Sequence, residues 1–378
     1  MRIFIIAAAV FALVSGASAK EHEKPSAFIV SPIHEAQIVR GDDGMDHVEY
    51  DLLVVSVLPE PVTLSSVTVL DPAGKELKRI EGAALAAVTQ PLFAHTETAE
   101  IPASAAVAIE VDLFLPPDTA PERLTHRIAY ALKAGSVLTP MYDSLEVDAP
   151  EVAVNRQPPK VIKPPVKGDG WVASSGCCKP NLHRDLRIAI DGVRIETPET
   201  FAIDFAKIKN GKIYDGDGSK VEQHYAFGEE VLAVADGTVF SIQDGKPETT
   251  PNQSMIPKTK EDYGGNQVIL QMAPNVFAIY VHLHTGSVAV KVGDVVKAGA
   301  PLAKIGNTGP SMGPHLHFGL SDKPDLFSGR SLPFVFDSFT MVGKVDFDAS
   351  EGDRVVIVPG SRQVRSAYPL YGSIQNFP

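Results

Sequence analysis

The chain of 378 residues carries 34 lysines and arginines against 46 aspartates and glutamates, a net charge of −12 with histidines neutral. A chain this acidic, without a basic run, is a poor partner for nucleic acid or for an anionic membrane surface. The length suggests two domains, the 44% hydrophobic content is enough for two cores, and 30 glycines and 30 prolines with few helical periodicities point to mostly β structure.

Residues 1–19 read as a signal peptide: Arg2 gives the positive start, Ile3 to Val14 the apolar stretch, and Ala17-Ser-Ala19 a small-residue cleavage site. That stretch is shorter than the roughly 20 apolar residues needed to span a bilayer, and no later segment does better. No stable membrane span is expected, and the location is expected to be periplasmic or secreted. No cysteine lies near the cleavage site, so no lipid anchor is expected.

Residues 20–155 form a series of short apolar runs, among them Glu49 to Val57, Val67 to Leu70 and Ala106 to Phe114, separated by turn signals such as Asp71-Pro-Ala-Gly74. Their spacing predicts an immunoglobulin-like β-sandwich. His34, His47, His95 and His126 are scattered through it without metal spacing and read as structural or surface residues. Residues 156–170 are proline-rich and predict a semi-rigid linker.

Residues 171–345 predict a second antiparallel β domain, with strands near Ile203 to Phe205, Glu230 to Ala235, Thr238 to Phe240, Gln267 to Gln271 and Phe277 to Val281, and with Asp236-Gly237 as a tight hairpin turn. Val288 to Ile305 reads as short hairpins. Asp215-Gly-Asp-Gly-Ser219 lacks the sixth-position glycine and closing glutamate of a calcium loop and reads as a plain loop. Cys177 and Cys178, the only cysteines, could pair with each other, pair between chains, stay as thiols or bind a metal. Residues 346–378 read as a C-terminal extension, and strand-like runs from Phe334 onward predict edge strands added to the second domain.

The chemistry concentrates in Gly306 to Gly319, where His315 and His317 alternate along an extended segment. Alternate strand residues share a face about 6 to 7 Å apart at Cα, so one ring can hold a metal while its neighbour reaches a water. Upstream, Tyr280-Val-His-Leu-His284 offers a third imidazole at His282.

Five ordered blocks, Glu229 to Val239, Gly264 to Ile269, Tyr280 to Leu283, Val292 to Gly299 and Gly306 to Phe318, resemble the lysostaphin-type zinc endopeptidases, also called the LytM family, which cleave peptide cross-bridges of peptidoglycan. The resemblance covers roughly residues 200 to 320. It implies a β-rich hybrid sheet, Zn2+ as cofactor, and Asp204 and His317 as metal ligands. It also implies His315 as general base and His282 as the group that stabilises or orients. The family's first zinc histidine stands four residues before the aspartate, where this chain has Thr200. A hydroxyl is a poor zinc ligand, so the missing donor is expected from His183, His224, His284 or the cysteine pair.

Two functions are expected from this pattern. One is an exported zinc metalloendopeptidase acting on peptidoglycan peptide or another peptide. The other is a degenerate family member that binds the wall or regulates a partner hydrolase. The N-terminal sandwich is expected to dock on wall, substrate or partner, or to occlude the groove.

Overall fold

The computed structural model describes residues 24–92, 96–253, 255–352 and 354–378. The signal-peptide segment and His95 lie outside the described residues. Among the described residues, no helix is long and apolar enough to cross a membrane.

The protein is mostly β, built on two large sheets, one of ten strands and one of eleven. In the first, Asp46–Ser56 and Ala106–Leu115 lie antiparallel. Alternation along Asp46–Ser56 sends Val48, Tyr50, Leu52 and Val54 into a core shared with Val67 and Val69 and with Leu124 and Ile128 from neighbouring strands. Strand Glu146–Asn155 runs antiparallel to Arg123–Leu132 and then, at Val154 and Asn155, parallel to Ala36–Arg40. The two layers that a sandwich would keep apart are therefore hydrogen-bonded into one ladder.

The opposite face of Asp46–Ser56 and Ala106–Leu115 is acidic. Glu49 stands opposite Asp112, and Asp51 opposite Glu110. All four are buried. What buries them is the segment after Cys178, whose short helix Leu182–Asp185 inserts Arg184, and with it the following Arg187, into the patch.

The eleven-stranded sheet places Ser373–Phe377, Gly168–Ser174, Ile203–Lys207, Leu316–Ser321, Val276–Leu283 and Asn266–Ala273 side by side in that order. Two expectations need revising. Ser373–Phe377 is an interior strand between Phe334–Glu351 and Gly168–Ser174, because its Ile374, Gln375 and Phe377 are buried and Asn376 Oδ1 accepts a bond from the Gly170 N–H at 3.0 Å. Its short polar sequence hid that role. Asp236-Gly237 is also no hairpin: Glu230–Leu232 pairs with Pro301–Lys304 in a separate small sheet, whereas Gly237–Gln243 pairs with Asn266–Ala273 and with Val295–Val296. Asp236 instead accepts the Ala298 N–H at 2.9 Å.

The proline-rich stretch joins the same sheet, with Lys160–Ile162 parallel to Phe334, Val335 and Phe336. His126 and His47, outside the second sheet, have local partners. Tyr50 Oη and His126 Nε2 lie 2.6 Å apart, and His47 Nε2 is 3.1 Å from Asp43.

Candidate metal and catalytic site

Sheet register creates the first contact of the site. Ile203–Lys207 pairs antiparallel with Leu316–Ser321 so that Asp204 faces His317, and Val276–Leu283 flanks the other side with Val281 opposite His317. Directly opposed residues hold their Cβ atoms about 4.5–5.5 Å apart on one face. Asp204 Oδ1 accordingly lies 3.0 Å from His317 Nδ1.

The next imidazole comes from outside the sheet. Asn181 caps the helix Leu182–Asp185, its Oδ1 accepting the His183 N–H at 3.0 Å. This turn carries the buried His183 ring to 3.1 Å from Asp204 Oδ2 and to 4.6 Å, centroid to centroid, from the His317 ring. His183 Nδ1 lies 3.1 Å from the Ala202 carbonyl oxygen, which only accepts, so Nδ1 bears a hydrogen and Nε2 is the nitrogen turned to the carboxylate. Burial works against charging this ring, yet Asp204 outweighs it and lifts His183 to about 9. Burial works against the Asp204 charge too, and His183 and His315 overcome it to hold the carboxyl well below its usual range.

His183, Asp204 and His317 each offer one ligand atom, and all three atoms lie within 4.8 Å of one another. Two nitrogens and one oxygen form the donor set and number of a catalytic zinc site with three protein ligands, so the residues fit that metal. Thr200 takes no part. It is buried, and its hydroxyl bonds within its own turn to the Thr197 carbonyl oxygen at 3.0 Å and hydroxyl at 2.8 Å.

His282 and His315 stand beside this trio, their ring centroids 4.9 Å apart. His282 holds φ at +61°, in the left-handed region that costs a non-glycine residue about 1 kcal/mol or more. Three bonds impose it: the His282 N–H donates to the Gly264 carbonyl at 2.9 Å, its own carbonyl accepts the Gly306 N–H at 3.0 Å, and Nδ1–H donates to the Thr308 carbonyl at 2.7 Å. Gly306 makes that approach feasible, since a Cβ there would sit 2.5 Å from the His284 N and Cα. Burial, reinforced by His315 and His317, pushes His282 down to about 3, so the ring is neutral with its lone pair on Nε2.

His315 likewise uses Nδ1–H on a carbonyl, that of Gly313, at 2.8 Å, and turns Nε2 to Asp204 Oδ1 at 3.4 Å. Burial opposes its charge, and Asp204 raises its pKa above the ordinary histidine value. Ser311, whose Oγ lies 2.6 Å from Asn307 Oδ1 and 3.3 Å from His315 Nδ1, braces the loop.

All five groups line a cleft of about 400 Å³ with Glu199, Tyr263, Leu326 and Phe327 in its walls. A second recess of about 270 Å³, walled by Lys207, Tyr214, His224 and Asn252, shares Asp204 and His315 with the first. The reactive groups thus sit where two lobes meet. Sequence reasoning missed Glu199, whose Oε1 is 3.7 Å from His317 Nε2, and the ring-orienting roles of Thr308 and Ser311. No local motif marks them.

The other candidates are placed elsewhere. His224 bonds the Gly218 carbonyl through Nε2 at 3.0 Å, and His284 pairs through Nδ1 with Glu248 at 2.7 Å. Cys177 and Cys178 are joined to each other in a disulfide, buried beside Glu49. The loop at Asp217 is closed by its own bonds to Ser219, at 3.1 Å from the backbone N–H and 2.8 Å from the hydroxyl.

Residues 219–327 match Peptidase family M23. Over that segment the chain is similar to that peptidase family, in agreement with the resemblance of its motifs to lysostaphin-type enzymes. The matched segment holds His282, His315 and His317, while Asp204 and His183 precede it. An uncharacterized metalloprotease of Haemophilus influenzae is 37% identical over 84 residues, covering 22% of this chain and 17% of that protein. Peptidoglycan DD-endopeptidase ShyA of Vibrio cholerae is 34% identical over 90 residues, covering 24% of this chain and 20% of that protein. The matches thus span about a fifth of the length of these relatives. A solved zinc-containing peptidase from Vibrio cholerae aligns at 14% identity over 79% of this chain and 83% of that chain, with a TM-score of 0.27.

Proposed function

We propose that the protein is an exported zinc metalloendopeptidase that hydrolyses peptide bonds of peptidoglycan cross-links. The observation that carries this reading is the His183, Asp204 and His317 donor set beside His282 and His315 in a cleft with two lobes. In this reading His183 Nε2, an Asp204 oxygen and His317 Nδ1 hold Zn2+. A zinc ion so held supplies Lewis acidity, polarising the scissile carbonyl and making water a nucleophile near neutral pH.

The remaining work falls to the two free imidazoles. With Nδ1–H fixed on Gly313, His315 exchanges protons only at Nε2, and it takes the proton of the attacking water there. His282 has its Nδ1–H committed to Thr308, so it too meets the reacting groups through Nε2. As a neutral ring it accepts a hydrogen bond from the water at that nitrogen and so orients the water for attack. The two lobes receive the peptide on either side of the scissile bond, with Tyr263, Leu326 and Phe327 covering apolar portions in one of them. Relatives that act on peptidoglycan, such as the DD-endopeptidase of Vibrio cholerae, support that substrate class and with it an extracytoplasmic location.

The test is digestion of purified peptidoglycan by the full chain, with mass analysis of the released peptides. New amino and carboxyl termini within cross-links, lost with a chelator and restored by added Zn2+, are the expected result. Zinc-loaded protein that binds the polymer and cuts nothing would replace this reading with that of a wall-binding module.

A further inference from the structure

The position of His183 depends on the N-terminal unit. Its neighbour Arg184 is only 1% exposed, and its guanidinium is enclosed by groups of strands Asp46–Ser56 and Ala106–Leu115. Nη1 donates to Asp112 Oδ1 at 2.9 Å, and Nη2 donates to Asp51 Oδ1 at 3.0 Å and to the Tyr50 carbonyl at 2.9 Å. Nε lies 3.2 Å from Glu49 Oε1. Arg187 adds Nη2 bonds to Glu110 at 2.8 Å and to Asp51 at 3.0 Å. Buried carboxylates and guanidinium groups each need the other, since either alone would keep an uncompensated charge out of water. The planar five-donor fork of Arg184 also fixes direction, which a point charge would not.

The helix between these anchors is a single short turn, Leu182–Asp185. It has too few residues to hold itself helical in isolation. Against the second unit it sets the contacts of His183 with Ala202, Asp204 and His317, and just upstream the Cys177 N–H donates to Tyr368 Oη at 3.1 Å and the Cys177 carbonyl accepts the Tyr371 N–H at 2.9 Å. Past that upstream anchor, the acidic patch constrains the place and rotation of the turn through the buried Arg184 and Arg187 pairs.

We infer that the N-terminal unit is a built-in part of the metal site, in which the Glu49, Asp51, Glu110 and Asp112 patch grips Arg184 and Arg187 and thereby positions His183 as a ligand. The inference rests on the proposed ligand role of His183. Arg184 is a positioning residue that acts through its neighbour. The N-terminal unit thus has a task that neither wall docking nor groove occlusion describes: it completes a site whose own strand lacks the first histidine. Metal affinity consequently becomes a reporter of the contact between the two units.

The experiment measures affinity for Zn2+ alone, by competition with a chelating dye, and the visible spectrum with Co2+ alone, on the full chain and on His183→Ala, Arg184→Gln and Asp112→Asn. Near-ultraviolet circular dichroism in chelator reports whether each variant is folded. Removing an outer-shell partner of a metal ligand typically weakens metal binding by about 10–100-fold, and Arg184→Gln is expected to fall in that range with a changed Co2+ spectrum. Asp112→Asn, which keeps the size of the side chain and lies in the other unit, is expected to move both readouts in the same direction by a smaller factor. Loss in His183→Ala with wild-type affinity and spectrum in a folded Arg184→Gln would overturn the inference while leaving the ligand assignment standing. Wild-type affinity in His183→Ala would overturn the ligand assignment itself. Should Arg184→Gln fail to fold, Asp112→Asn decides alone: weakened binding with unchanged near-ultraviolet dichroism supports the inference, and wild-type binding overturns it.

Discussion

Replacing His183 with alanine is expected to weaken Zn2+ binding by more than the roughly 10–100-fold typical of losing an outer-shell partner, and to abolish hydrolysis at ordinary zinc concentrations. Three donors, His183, Asp204 and His317, converge within 4.8 Å, and removing one leaves two, fewer than catalytic zinc sites use. A hundredfold loss corresponds to about 2.7 kcal/mol, at about 1.4 kcal/mol per factor of ten. The same substitution at His224 or His284 is expected to leave affinity unchanged, because those rings are occupied by the Gly218 carbonyl and by Glu248. Zinc content per chain after dialysis against a weak chelator distinguishes the three variants. Equal zinc in all of them would remove His183 from the site.

His315→Ala should separate catalysis from metal binding. The ring lies beside the donor set without joining it, its Nε2 3.4 Å from Asp204 and its Nδ1 held by Gly313. Loss of a positioned general base typically costs about 10²–10⁴-fold in rate. The variant is expected to lose that much in kcat while keeping about one zinc per chain and a near-unchanged KM. A parallel loss of zinc would reassign His315 as a ligand, and full activity would remove it from the proton transfer. His282→Ala should behave like His315→Ala and also relax the local backbone, since the left-handed φ at that residue is held partly by its ring bond to Thr308.

Some of this architecture was legible in the chain because it is local. Alternation marks His315 and His317 as neighbours, the glycines around them mark tight backbone approaches, and the Asp204 and His317 pair follows once their strands are adjacent. The structure places Asp204 opposite His317 with no intervening residue. His183 was not legible in the same way. Its contribution depends on a single turn held by carboxylates more than 70 residues upstream in the chain, and no spacing rule links Asn181-Leu-His-Arg184 to Asp112. The burial of the acids on the N-terminal strands was illegible for a related reason. Glu49 and Asp51 alternate with core residues as a solvent face would, and only the buried guanidinium groups of the second unit reveal that this face is internal. Burial pushes the Glu110 carboxyl upward against the pull of the nearby arginines, a consequence of packing that composition does not carry. The interior position of Ser373–Phe377 was hidden similarly, since a short strand with Gln375 and Asn376 lacks the apolar run expected of a central one.

The most direct test of the account is X-ray absorption at the zinc edge on the zinc-loaded full chain. The account predicts a first shell of nitrogen and oxygen at about 2.0–2.2 Å, with the outer scattering of two imidazoles and no sulfur. A sulfur shell at about 2.3 Å would mean that the Cys177–Cys178 disulfide had been reduced and would place the metal instead at the buried Glu49, Cys177 and Cys178 group, whose ligand atoms also lie within 4.8 Å of one another. A single imidazole would contradict the role of His183.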